Sequence, residues 1–190
     1  MELIFFGLLF IFLKTNIQFV ELGTMYYLTN LLGYISIFVG VKELERTYDG
    51  LSKIKPLAIV MILHSLLFSI LNLTDHSPLT MSLSSALNYM IALSGLGAVL
   101  MGMFMIYYII HVVIETLKDD QSNIITVKKL DQLNTAMTIV FIFAGIISFF
   151  DYIPMLAKIL MVSLLVLKII FLVYFYHTLV RKNIAPNWVL

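Results

Sequence analysis

Six apolar stretches, each close to the length that a helix needs to cross a bilayer, constrain this chain more than any other feature. They cover residues 3–20, 25–41, 56–73, 82–114, 134–150 and 154–180, and a crossing takes about 20 mostly apolar residues. Across the 190 residues, 61% are hydrophobic and 12% are charged, whereas a soluble domain is nearer to half apolar and a quarter charged. The sequence therefore predicts one all-α domain, a bundle of six transmembrane helices embedded in a lipid bilayer.

The basic residues predict the orientation of this bundle. Most of the twelve Lys and Arg residues follow the second, fourth and sixth stretches: Lys42, Arg46, Lys53, Lys55, Lys118, Lys128, Lys129, Arg181 and Lys182. The other three connections carry only acidic charge, at Glu21, Asp75 and Asp151. Because basic loops stay on the cytoplasmic side, we expect both termini to be cytoplasmic.

Composition and missing motifs exclude several classes of function. The chain has no cysteine, which removes thiolate chemistry and thiolate metal sites. A net charge of +1 leaves no basic surface for nucleic acid. His-Glu-x-x-His, Gly-x-Ser-x-Gly and phosphate-binding glycine loops are all missing from the sequence. We therefore expect a protein that is not an enzyme, with no catalytic residue and no bound metal.

Two lysines lie where a bilayer tolerates charge least. Lys168 is about 13 residues, or roughly 20 Å, from either end of the sixth stretch, and Lys14 is close to mid-depth in the first. Snorkelling covers only part of that distance, and intramembrane charges mark functional sites by default. The lysines could face an anionic solute, an acidic residue of a partner subunit, or a wet crevice with no ligand.

Polar residues also gather near the ends of the stretches that are predicted to face outward. The group consists of Asp75, His76, Asn88, Tyr89, Asp151, Tyr152 and Lys158. Tyrosine at this depth is typical of an aromatic belt, but Asn88 lies slightly inside its stretch. Asn88 and Tyr89 are therefore candidates for lining an outer approach to a binding site.

Histidines and small residues leave further alternatives open. His111 and His177 each lie four residues from the inner end of their stretches, so they could ligate a b-type haem axially, although such histidines more often bond to a neighbouring helix. Ser94, Ala98 and Gly102 form a small-residue ridge that is typical of close helix packing. Residues 121–133 could form either a separate amphipathic surface helix or a solvated loop.

The second stretch resembles a segment of an uncharacterised family of small polytopic membrane proteins from Gram-positive bacteria. The matching residues run Asn30-Leu-Leu-Gly33-Tyr34-Ile-Ser-Ile, followed by Gly40-Val-Lys-Glu-Leu44, and the resemblance covers about the first 60 residues. Asn30 stands where that family usually has Asp, which removes a charge. The resemblance implies a bacterial cytoplasmic-membrane location and marks Asn30 and Tyr34 as candidate site residues.

The architecture also resembles that of substrate-binding subunits of energy-coupling-factor transporters. Those proteins have six helices, both termini inside and a ligand pocket toward the outside, but the first stretch here lacks their Ala-x-x-x-Ala-like docking face. We therefore expect a binding or transport subunit for a small, anionic or polar solute. One alternative is a structural or regulatory, immunity-like membrane subunit that pairs with another chain, and another is a haem-dependent electron-transfer protein.

Overall fold

A computed structural model describes residues 1–13, 23–74, 86–118, 124–150 and 154–181. These ranges are all-α and contain no strand. They hold six α-helices: α1 (Glu2–Leu13), α2 (Gly23–Leu44), α3 (Ile54–Leu73), α4 (Ala86–Lys118), α5 (Ile124–Phe150) and α6 (Pro154–Phe175). A 3₁₀ turn, Asp49–Lys53, precedes α3, and a π-helical turn, Tyr176–Val180, continues α6.

The helices form a closed ring. Each helix packs on the next one in the chain, and α6 packs back on α1. Short connections make consecutive helices antiparallel, so the start of α1 and the end of the π-helical turn meet, as the contact of the Phe5 and Tyr176 rings shows. We call this end of the bundle, where Lys55 and Glu45 also form an ion pair, the basic end.

Close backbone contact holds α1 against α2. A Cβ added to Gly7 would lie 2.6 Å from the carbonyl oxygen of Gly33, and one added to Gly33 would lie 2.9 Å from that of Gly7. Two turns further along α2 toward the basic end, a Cβ added to Gly40 would lie 3.0 Å from the backbone nitrogen of Ile4. Only glycine lets two helix backbones approach this closely, so these positions fix where the two helices cross.

Within the described ranges, four helical stretches are long and apolar enough to cross a membrane. They are Asp49–Leu73, Leu87–Thr116, Val127–Ile147 and Met155–Val180, while Glu2–Leu13 is apolar but shorter. Their outward faces carry exposed aliphatic side chains such as Leu63, Leu67 and Val162. A water-soluble bundle would place polar residues on these faces, so this surface is that of a membrane protein.

The structure shows where two of the helices begin and end. The fourth stretch is one continuous helix that passes through Gly95 and Gly97 without a break. The fifth helix begins at Ile124, ten residues before the predicted start of the apolar span at residue 134, so residues 124–133 are neither a separate surface helix nor a loop but the first turns of α5. Val127 and Leu130 are buried on the face that continues to Asn134, and no proline or glycine interrupts the segment.

The two halves of α4 have different surroundings. From Gly102 to Ile114 toward the basic end, the helix contributes much of the core, including Ile109, Ile110 and Val113. From residue 87 to 101, none of the side chains that the structure describes is buried. The bundle is therefore closely packed at the basic end and open around α4 at the other end.

Candidate functional site

Lys168 is a buried cation in the middle of the bundle. It lies on α6, 8% exposed, and its Nζ is 5.4 Å from the centroid of the Phe12 ring on α1. This distance is within the range of a cation–π interaction. None of the acidic side chains in the described ranges forms an ion pair with it. The observed contact of the Lys168 ammonium group is therefore with the Phe12 ring.

Contacts with other aromatic rings hold Phe12 in position. The ring packs edge-on against Phe171, with centroids 5.9 Å apart, and Phe171 in turn packs against Phe175 at 5.8 Å. All three side chains are almost fully buried. Because Phe171 is one turn from Lys168 on α6, the same helix face supplies both the cation and the ring that holds its aromatic neighbour.

Contacts between α1, α2 and α3 bring other polar side chains to the level of Lys168. The Gly7–Gly33 contact sets the antiparallel register of α1 and α2, which brings Asn30 level with Phe12. Tyr27 stacks on Phe68 with centroids 5.6 Å apart. Asn30 follows Tyr27 by three residues on α2, and Ser65 precedes Phe68 by three residues on α3. Because the two helices are antiparallel, Asn30 and Ser65 lie at the same level. We call Lys168, Asn30 and Ser65 the polar layer.

The members of the polar layer differ in their hydrogen bonding. Ser65 is fully buried, and its Oγ has no hydrogen-bond partner among the described residues. Asn30 is 7% exposed and does make a contact of its own, as does the neighbouring Tyr34, which is also buried. A buried hydroxyl without a partner costs about 1–3 kcal/mol, so Ser65 could still donate to a ligand. The sequence did not single out Ser65, because a serine in an apolar helix gives no sign of facing inward.

His64 joins α3 to α4 beside the polar layer. Its Nε2 lies 3.0 Å from the carbonyl oxygen of Ala98 and donates to it in the tautomer that fits. The ring also lies over Gly102, where an added Cβ would be 2.9 Å from Cε1, and against the Phe68 ring at 4.6 Å. Of the small-residue ridge, Gly102 therefore packs inside the bundle, whereas Ala98 is half-buried and Ser94 is exposed.

The other polar residues near the outer ends of the stretches are spread more widely, and of these only Asn88 and Tyr89 are site candidates. Tyr89 is 55% exposed, Asn88 is half-buried, and Lys158 is exposed near the start of α6. Asn88 makes a contact of its own. The site candidate Lys14 and the remaining polar residues lie outside the described residues, the latter being Glu21, Asp75, His76, Asp151 and Tyr152. Of the predicted site residues in the described ranges, Lys168, Asn30 and Tyr34 are therefore the buried ones, and the structure adds Ser65.

The two histidines considered as haem ligands have different neighbours. Nδ1 of His111 lies 3.3 Å from Asp131 on α5, and Nε2 lies 3.9 Å from Glu115. His177 lies on the π-helical turn with its ring against Tyr176. Because each ring nitrogen of His111 faces a carboxylate, a haem iron could bind to the histidine only by displacing Asp131 or Glu115. Haem binding stays a prediction, which the Soret region of an absorption spectrum tests.

Comparison with known proteins adds no relative: no family model, curated protein or solved structure matches the chain. A functional interpretation therefore depends on the polar layer and its surroundings. The described residues include no group of three or more His, Asp or Glu side chains that could hold a metal ion. The polar layer offers one cation, an amide and a hydroxyl inside an apolar bundle, and the other buried polar residues of the described ranges are Ser69, Asn134 and Thr178.

Proposed function

We propose that this chain is a non-catalytic membrane subunit that binds or transports a small anionic or polar solute at the polar layer. The observation that carries the proposal is the burial of Lys168 in the middle of α6 without an ion pair to any acidic side chain in the described ranges. A charge at this depth is costly, and a cation–π contact offsets only part of that cost. An anionic ligand would supply the missing counter-charge.

The neutral groups of the polar layer suit the same ligand. The Asn30 amide and the Ser65 hydroxyl are hydrogen-bond donors that add no further charge. Because electrostatic attraction is much stronger in an apolar interior than in water, one buried ammonium can hold one carboxylate-like group strongly. Ser65 would then gain the partner that it lacks among the described residues.

The membrane setting of the proposal is a bacterial cytoplasmic membrane, crossed six times with both termini inside. The described basic residues near helix ends support this orientation, because Lys42, Lys55, Lys128 and Arg181 all lie at helix ends that meet at the basic end. In this orientation the open half of α4 faces outward. Asn88 and Tyr89 would then line the approach to the polar layer.

The test compares two lysines of the same helix. We expect Lys168→Met to weaken binding of a co-purified solute by about tenfold or more, since a hydrogen bond to a charged group contributes roughly 1.5–3 kcal/mol. Lys158→Met removes an exposed lysine of α6 and should leave binding unchanged. Mass spectrometry of the gently purified proteins identifies the solute and measures its retention. Equal retention by the Lys168→Met variant would contradict the proposal.

A second candidate function is a regulatory or structural subunit that pairs with another membrane chain. The exposure of α4 between residues 87 and 101 favours it, since membrane helices usually cover small residues such as Ser94 and Gly97 with a neighbouring helix. Purification with a stoichiometric second protein, lost on Gly97→Leu but retained on Lys168→Met, is the result that this alternative requires.

A further inference from the structure

An apolar groove runs along the outside of the ring between α1 and α6. Its walls are formed by Phe5, Leu9 and Leu13 on α1 and by Ile169 and Val173 on α6. The cavity has a volume of about 430 Å³. It extends along about eight residues of each helix, which corresponds to a length of about 12 Å. Its polar lining residues, Tyr176 and His177, both lie at the end nearer to the basic end of the bundle.

The end of the groove at Tyr176 and His177, which we call its mouth, has a basic residue one turn beyond it. Arg181 is exposed one turn beyond His177, and it forms no ion pair with an acidic side chain of the described ranges. Tyr176 packs against Phe5 at 5.4 Å, which closes the groove on the α1 side. The mouth lies within the π-helical turn, a distortion that is often found at functional sites.

We propose that the groove binds a phospholipid of the surrounding bilayer, with one acyl chain along its walls and the phosphate against Arg181 and His177. Among the described residues, the walls between Tyr176 and Leu13 are apolar, which suits a hydrocarbon chain better than a polar ligand. The guanidinium at the mouth is the group that pairs best with a phosphate. Basic pockets between helices on the cytoplasmic side are typical lipid headgroup sites.

The orientation of the lipid follows from this arrangement. A phosphate at the basic end and a chain directed toward Leu13 and Ile169 match the direction of a lipid in the leaflet on that side of the membrane. The site is independent of the polar layer, because Lys168 is buried on α6 and does not line the groove. Experiments can therefore disprove lipid binding in the groove without affecting the proposal of solute binding at the polar layer, and can disprove solute binding without affecting the lipid proposal.

Native mass spectrometry of the purified protein, with either phosphatidylglycerol or diacylglycerol added, tests the proposal. We expect the wild type to retain phosphatidylglycerol about tenfold more strongly than diacylglycerol, because the two share their chains but only one has a phosphate. Arg181→Gln should remove this difference. Val173→Trp, which fills the groove, should weaken retention of both lipids, and Leu9→Trp does the same from the opposite wall.

Two variants of α6 outside the groove serve as controls. Val162→Trp places the same bulk at an exposed, lipid-facing position, and Lys158→Gln removes a charge near the other end of the helix. Both should retain phosphatidylglycerol like the wild type. Equal retention of the two lipids by the wild type, or unchanged retention by both groove-filling variants, overturns the proposal. A change in oligomeric state with Val173→Trp would also overturn it, since a second copy would then occupy the groove.

Discussion

Glycine has opposite surroundings in two regions of this bundle. At the crossing of α1 and α2, Gly7 and Gly33 bring two backbones into contact, with a carbonyl oxygen only 2.6 Å from where a Cβ at Gly7 would stand. In the open half of α4, Gly97 has no atom within 4 Å of its corresponding position. Gly102 is intermediate, because it faces the movable His64 ring. Whether glycine is necessary therefore depends on what lies opposite it.

This difference divides the ring into a fixed part and an adaptable part. A backbone-to-backbone contact cannot adjust without moving a whole helix, so α1 and α2 are expected to behave as one rigid pair that holds Phe12 and Asn30 at the level of Lys168. Between residues 87 and 101 of α4, the described residues show no backbone contact of this kind, and the observed link to α3 is the bond from His64 to the Ala98 carbonyl oxygen. Substitutions at the three glycine positions should reveal this gradient.

The largest effect is expected for Gly7→Ala. The new methyl group would collide with the Gly33 carbonyl and with Ile37, so the two helices would have to separate. Overpacking of this kind costs about 3 kcal/mol or more, which corresponds to a fall in unfolding temperature of roughly 6–12 °C. Thermal unfolding of the detergent-solubilised protein, followed by fluorescence-detected size exclusion, measures it. A fall of less than 2 °C would show that the crossing can relax.

An intermediate effect is expected where a side chain, not a backbone, faces the glycine. His64→Ala removes the hydrogen bond to Ala98 and the ring packed over Gly102. Hydrogen bonds between membrane helices contribute about 0.6 kcal/mol on average, and the lost packing brings the expected total to about 1–2 kcal/mol. The same thermal unfolding measurement applies.

A double-mutant cycle sharpens this expectation. Gly102→Ala alone should destabilise the protein, because the new methyl group would lie 2.9 Å from the His64 ring. In the His64→Ala background it should be neutral or stabilising, because the ring is gone. Additive effects of the two substitutions would contradict direct contact between these positions.

The sequence predicts the helical class and the isolation of Lys168 better than it predicts the neighbours of any helix. The length of an apolar stretch indicates whether a helix can cross a bilayer, and the described residues confirm the predicted all-α class. It contains no information on which helices touch, so the Gly7–Gly33 contact and the inward position of Ser65 could not be derived. The start of α5 was placed too late because Lys128 and Lys129 are compatible with a helix that extends beyond the membrane, not only with a loop.

The smallest effect, and one of opposite sign, is expected for Gly97→Ala. Glycine within a helix is less stable than alanine by roughly 0.5–1 kcal/mol, because more backbone freedom is lost on folding. Since open space surrounds Gly97, no collision offsets this gain, and the unfolding temperature should rise by about 1–4 °C. Gly145 also has nothing within 4 Å, so Gly145→Ala is the matched control on another helix and should behave alike. If Gly97→Ala is destabilising while Gly145→Ala is not, then α4 is covered in solution by another helix at this position, and its open half is an interface.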